Sequence, residues 1–153
     1  MKILVVNGPN MDLLGVREPE LYGTKTLSQL EDALEEHVHK HLPGVSLIFG
    51  RSNSEGEIIN LLNSSHGAYD GLVINPAGLS YSAYALRDSV KTFAGPKVEI
   101  HLSNIFSREP YRRNDIIAEV VDGFVCGLGW DGYKLAIEAV TRMIKQVGKA
   151  SSP

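Results

Sequence analysis

Five short apolar runs, at residues 2–7, 45–49, 71–75, 97–102 and 123–127, alternate with longer stretches of helical spacing, and this alternation limits the fold more than any other feature. Several of the runs are continuous rather than alternating, as expected of strands covered on both faces of a parallel sheet. Leu27, Leu30, Leu34, Val38 and Leu42 form one helical stripe, ended by Pro43-Gly44. Ile58, Ile59, Leu61 and Leu62 form a second, opened by the capping-box pattern Ser54-Glu55-Gly56-Glu57. A third covers residues 82–93, and Ala136, Val140, Met143, Ile144 and Val147 mark the last. Strand alternating with helix in this way predicts a doubly wound α/β fold, three layers deep (α/β/α). For five strands the expected order is 2-1-3-4-5, the flavodoxin-like arrangement.

At 153 residues the chain has the length of one domain, and no linker, repeat or change of composition divides it. Residues 1–148 are expected to form that domain, with 149–153 as a disordered tail. Fifteen basic against eighteen acidic side chains give a net charge of −3, which offers no footprint for nucleic acid or an anionic membrane. One cysteine, Cys126, excludes an intrachain disulfide and suits a reducing compartment. The apolar run Ile3 to Val6 is too short for a signal-peptide core or a bilayer span, so the expected location is the cytoplasm.

In such sheets ligands bind beyond the carboxyl ends of the strands, where the strand order reverses. That draws attention to the loops after Asn7, Asn75 and His101. The first, through Gly23, is far longer than the usual connection of about 2–6 residues, as lids and binding loops are, although a surface loop with Tyr22 packed against its neighbours fits as well. It carries Asn10, Arg17 and Tyr22. Ionising a free tyrosine at neutral pH costs about 4 kcal/mol, and guanidinium groups in a dry site offset much of that. A Tyr–Arg pair on a closing loop is therefore a candidate general base for a carbon acid. The second loop, Asn75-Pro76-Ala77-Gly78-Leu79-Ser80-Tyr81-Ser82, combines an amide at a strand tip with a glycine that allows close backbone approach, or is a plain turn with a serine cap. Asp88, on the following helix, is by default a solvated charge. The third places His101 at the carboxyl edge, followed by Arg108, Arg112 and Arg113; backbone N–H groups and arginines there suit a carboxylate ligand, and histidine can deliver a proton near neutral pH.

Other signals lead elsewhere. Gly127-Leu128-Gly129-Trp130-Asp131-Gly132 has the spacing of a dinucleotide loop, but no strand follows to carry the acidic residue such a site needs, so tight packing of the last helix is expected. His37 and His41 share a helix face while His39 points away, and two ligands do not close a zinc site. No nucleophile elbow or phosphate loop is present. Cys126 falls in a strand expected to be buried, where it would be inert.

Taken together, Asn7-Gly8-Pro9-Asn10, Arg17-Glu18-Pro19-Glu20-Leu21-Tyr22-Gly23, Ser52-Asn53-Ser54-Glu55-Gly56-Glu57, Val73-Ile74-Asn75-Pro76, Ala85-Leu86-Arg87-Asp88 and Val98-Glu99-Ile100-His101-Leu102-Ser103-Asn104 resemble the type II 3-dehydroquinate dehydratases. Ser107-Arg108-Glu109, Gly127-Leu128-Gly129 and Gly132-Tyr133 continue the resemblance, in order, over about residues 2–147. It implies a flavodoxin-like subunit in a homododecamer, a tetramer of trimers, with no metal or organic cofactor. It implies anti elimination of water from 3-dehydroquinate to 3-dehydroshikimate through an enolate, in the shikimate pathway or in quinate catabolism. Tyr22 would then be the base, with Arg17 and Arg108 favouring its ionised form; Asn10 would hold a water against the enolate oxygen, and His101 would be the general acid. Asn75, Leu102 and Ser103 would bind the carboxylate and C1 region, Arg112 the ring hydroxyls, and Asp88 would come from a neighbouring subunit. The sequence departs from the family pattern at Tyr81, where a substrate-contacting histidine is usual, at Ala77 (often Gly), Asp12 (commonly Asn) and Phe106 (commonly His). Tyr81 leaves room for a related substrate such as an amino-substituted dehydroquinate, and a catalytically silent binding homologue is the remaining alternative.

Overall fold

A computed structural model describes the backbone of residues 1–150 and the side chains of residues 1–148. Five parallel strands, β1 (Lys2–Asn7), β2 (Ser46–Arg51), β3 (Gly71–Asn75), β4 (Lys97–His101) and β5 (Gly123–Cys126), form one sheet in the order β2-β1-β3-β4-β5. The helices are α1 (Pro19–Tyr22), α2 (Leu27–His41), α3 (Glu55–Ser64), α4 (Tyr84–Thr92) and α5 (Gly129–Ala150). Alternate residues of each strand face opposite sides, which divides the core in two. Ile3, Val5, Val73, Val98 and Ile100 pack under α2 and α5, whereas Leu4, Val6, Leu72 and Ile74 pack under α3 and α4. The three-layer fold and its strand order are those the alternation predicts.

Three expectations need correction. β1, β3 and β4 are buried almost throughout, but β2 and β5 are only half-buried, because an edge strand has a neighbour on one side alone. Cys126 shares that half-buried setting, although burial still pushes its thiol up. The capping box at Ser54 is also absent: its side chain makes no cap bond. Ser52 Oγ instead bonds the Glu57 carboxylate and accepts from Ser54 N at 2.9 Å, so the residues that would close the box are engaged with the preceding turn. A complete box opens α2, between Thr26 and Gln29. Finally, α4 starts at Tyr84, two residues later than expected, after a 3-10 turn over Ala77–Tyr81.

The α5 helix runs through Ala150, and residues 151–153, most of the expected tail, lie outside the described residues. No helix among the described residues is long and apolar enough to cross a membrane. A Cβ on Gly132 would come within 2.6 Å of Ile100 Cδ1, in keeping with close packing of the glycine-rich segment. His37 Nε2 lies 3.1 Å from Glu138 Oε1 and its ring 4.9 Å from that of His41, tying α2 to α5.

One polar side chain sits in the middle of this packing. Tyr133 of α5 is fully buried, donating to Asn7 Oδ1 at 2.6 Å and accepting from Asn75 Nδ2 at 2.9 Å. Burial pushes its phenol well above the ordinary range, so it acts as a neutral hydrogen-bonding group. Tyr133→Phe removes both bonds and orphans a buried acceptor and donor, which should cost about 1–3 kcal/mol. Urea unfolding should show a lower midpoint at an unchanged slope; an unaltered midpoint would contradict the role given to this hydroxyl.

Candidate active site

Beyond the carboxyl ends of β1, β3 and β4 lies a cavity of about 310 Å³. Its floor is set by the register of the sheet, which places Asn7 beside Asn75. Immediately after β1, Gly8 N donates to Asn75 O at 2.8 Å, and a Cβ there would come within 2.6 Å of Pro76 O. Only glycine lets the first and second loops meet this closely. Asn75 lines the cavity, but its amide is already engaged: Nδ2 donates to Tyr133 and contacts Met11 Sδ at 3.6 Å, while Oδ1 accepts from Ala77 N at 3.1 Å.

The long first loop is a built wall. Met11 and Leu14 are buried in the core beneath it, and Tyr22, at the end of α1, packs on the same cluster. Asn10 N donates to Asn53 Oδ1 at 2.7 Å. Asn10, Glu18 and Ala77 have φ of 66°, 44° and 51°, the three non-glycine residues in the left-handed region among the described residues. Left-handed backbone costs about 1–2 kcal/mol per residue, and strain of this kind gathers where a site demands a particular shape.

Arg108 connects this wall to the third loop. Its Nη1 donates to the Tyr22 hydroxyl oxygen at 2.5 Å and to Ser103 Oγ at 3.3 Å, and Nη2 lies 3.7 Å from Glu18 Oε1. Arg17 lines the cavity without bonding Tyr22, contrary to the expected Tyr–Arg17 pair: its Nε is 3.1 Å from Glu18 Oε2. The kinked backbone at Glu18 sets that carboxylate beside both arginines.

His101 faces the same cavity from the end of β4, with its side chain 6% exposed. Its Nε2 lies 2.8 Å from Glu99 Oε1 and 3.1 Å from Asp115 Oδ2. Burial raises Glu99 to about 8, with the bond from His101 opposing and the charge of Asp115 adding to the rise. His101 is raised to about 9: burial alone would lower it, but the bonds and charges of the two acids outweigh burial. Burial likewise acts to raise Asp115, yet its contacts with His101 and Glu99 and the Ala118 N–H bring it below its usual value. The three groups lie within 4.8 Å of one another. Their separations from a single ring nitrogen suit N–H···O hydrogen bonds, so the cluster reads as one that stores a proton.

On the third side Arg112 is held by Glu109 (Nε to Oε2, 2.5 Å) and donates to the Tyr81 hydroxyl at 3.0 Å, with its guanidinium 5.1 Å from the Tyr111 ring centre. Leu102 and Ser103 complete this side. The cavity thus gathers Asn10, Arg17, Tyr22, Asn75, His101, Leu102, Ser103, Arg108 and Arg112. Asp88 is the one candidate outside it, 76% exposed on α4 and 3.4 Å from Arg87. Sequence reading missed the Glu99 and Asp115 contacts. The first could have been found, since residues i and i+2 of a strand share a face; the second joins residues fourteen apart through irregular turns.

Comparison with known proteins shows the family of the chain. The sequence pattern of the family described as Dehydroquinase class II matches residues 1–141. A "3-dehydroquinate dehydratase" of Roseiflexus castenholzii is 46% identical over 90% of this chain and 87% of its own length. One of Anoxybacillus flavithermus is 41% identical over 97% of this chain and 99% of its own. The crystal structure of a type II dehydroquinase from Propionibacterium acnes superposes with a TM-score of 0.87 at 34% identity, covering 92% of this chain and 96% of that one.

The proton stored at His101 should be visible in stability. Unfolded, Glu99 and His101 give up their protons near 4.5 and 6.5; folded, they keep them to about 8 and about 9. The folded state therefore binds more protons across that interval, and stability falls as pH rises through it. Asp115 has the opposite sign, its contribution disappearing only on acidification. Urea unfolding free energies should decline between pH 6.5 and 9; constant or rising values would contradict the protonated cluster.

Proposed function

The chain belongs to the class II dehydroquinase family, and on that premise we propose that it converts 3-dehydroquinate to 3-dehydroshikimate by anti elimination of water. The observation that carries the reading is one cavity with a phenolic oxygen held 2.5 Å from an arginine on one wall and a doubly carboxylate-bonded histidine on another. A ketone with an acidic α-hydrogen and a β-hydroxyl needs a base, an acid and stabilisation of an enolate, and this cavity offers a group for each.

In this reading Tyr22 takes the C2 proton, and the electron pair moves onto the C3 oxygen. Arg108 stabilises negative charge on the Tyr22 oxygen before transfer, with Arg17 the second cation of the wall. Asn10 holds a water against the enolate oxygen. Collapse of the enolate forms the C1–C2 double bond and breaks the C1–O bond, and His101 supplies the proton with which the hydroxyl leaves as water. Asn75, Ser103 and the backbone at Leu102 bind the carboxylate and C1 region, and Arg112 the ring hydroxyls. A volume of about 310 Å³ suits a single substituted ring better than a nucleotide.

The same reading assembles the chain as a dodecamer of four trimers in which Asp88 of a second copy closes the site, acting in the cytoplasm on aromatic biosynthesis or quinate breakdown. The exposed apolar side chains Val16, Phe106 and Tyr111, 80%, 51% and 56% accessible, the last of them lining the cavity, support burial against another copy.

Incubation with 3-dehydroquinate should generate the ultraviolet absorbance of a conjugated enone, from particles with the mass of twelve chains. Tyr22→Phe should lower kcat by about 10²–10⁴-fold while substrate binding is largely kept. Normal turnover in that variant would remove Tyr22 as the base, and an active monomer would remove the shared site.

A further inference from the structure

Most of the His101 surroundings are explained by the third loop and the sheet, but the second carboxylate is not. Asp115 stands in irregular chain after the 3-10 turn Pro110–Arg113, and both of its oxygens are committed. Oδ1 accepts from the backbone N–H of Ile117 and of Ala118, both at 3.1 Å, and Oδ2 lies 3.1 Å from His101 Nε2. The two backbone bonds fix the carboxylate before the histidine is considered. Glu99 reaches the same ring nitrogen from β4 but lacks such an anchor: it is fully buried, and its Oε2 has no hydrogen-bond partner among the described residues.

Nε2, 2.8 Å from Glu99 Oε1 and 3.1 Å from Asp115 Oδ2, is held as a hydrogen-bond donor, and the Asp115 carboxylate beside it favours a ring that carries positive charge. A neutral imidazole that gives its hydrogen to Nε2 has only a lone pair on Nδ1, and a lone pair cannot protonate a departing hydroxyl. The imidazolium carries hydrogen on both nitrogens.

We propose that Asp115 is a positioning residue for His101: its carboxylate, anchored on two backbone N–H groups, keeps the ring doubly protonated and oriented so that Nδ1–H faces the cavity as the acid. The inference rests on the dehydratase reading for its catalytic consequence, but not for the state of the ring. Glu99 alone would serve less well, because in full burial it keeps its own proton and offers the ring a neutral partner. The other titratable groups near the ring are the Cys126 thiol, paired with His101 across β4 and β5 and pushed up by burial, and Arg17, Tyr22, Tyr81, Arg108, Tyr111 and Arg112 around the cavity. None of the substitutions below alters them.

The test compares wild type with Asp115→Asn, and with Asp115→Ser, whose hydroxyl can still accept from the backbone N–H groups if the amide distorts the turn. Deuterium exchange at the imidazole C2 position, followed by mass spectrometry of the whole assembly after digestion, reports the protonation of each histidine without substrate. In wild type the His101 midpoint should lie near 9, and in both variants it should fall toward 6.5. The basic limb of the kcat–pH profile should move with it, giving roughly tenfold lower kcat at pH 7.5 with KM changed less than about twofold. A wild-type midpoint already near 6.5, or variants that leave it unmoved, would overturn the inference. A midpoint that shifts while the kcat limb stays in place would overturn its catalytic half. Absence of turnover in the unsubstituted protein would remove the dehydratase reading, and the exchange comparison would still decide the role of Asp115.

Discussion

The parallel pairing of β1 with β3 is the constraint on which the cavity depends. It sets Asn7 beside Asn75 at the point where the strand order reverses, and everything above is built on that pair. Below it, Tyr133 joins the two amides through one hydroxyl; above it, Gly8 and Asn75 bring the first and second loops into backbone contact. A helix on one face, two strands and two loops thus meet at a single polar knot inside an apolar core. Such a knot is stable only when fully bonded, since each buried amide left without a partner would cost more than its bond contributes. That accounts for a fully buried tyrosine where an aliphatic residue would otherwise fit.

The charged groups above the knot obey a different rule. Arg108 and His101 are both largely buried, and neither is left as an isolated charge. Arg108 shares its guanidinium among Tyr22, Ser103 and Glu18, while His101 is set against two acids that hold fewer than two charges between them near neutrality. Burying a charge is tolerable when a partner and hydrogen bonds come with it. The two halves of the site therefore sit in separately balanced clusters, the phenol with its cation and the imidazole with its acids.

The fold was legible because hydrophobic period carries it: the strands at 2–7 and 71–75 have the extents the pattern predicts, and the helix stripes lie where their leucines and isoleucines recur. What escaped was set by side-chain competition or by edges. Ser54 does not close its capping box because Ser52 and Glu57 find each other first, and β5 is half-exposed because it lies at the sheet edge, which its own apolar run does not reveal. Tyr22 and His101 could be picked out as candidates because chemistry restricts which residues can act as base and acid near strand ends, and Arg108 because the family pattern carries it. Asp115 could not, since its role comes from an Asx turn that only the folded chain aims at the imidazole.

Tyr81 shows how a departure from a family pattern can be absorbed locally. A histidine at this place, whenever protonated, would set a second cation beside Arg112; the tyrosine oxygen instead accepts from Arg112 Nη1 at 3.0 Å. With Glu109 taking Nε, the guanidinium is held by two acceptors and flanked by the Tyr111 ring, so its plane is set before any ligand arrives. An arginine fixed in this way loses less freedom on binding, which offsets part of what a smaller and more mobile contact at residue 81 would have contributed. The phenolic hydrogen is not used in the Arg112 bond and remains able to donate. Tyr81 and Arg112 therefore present donors to this side of the cavity from a single rigid unit.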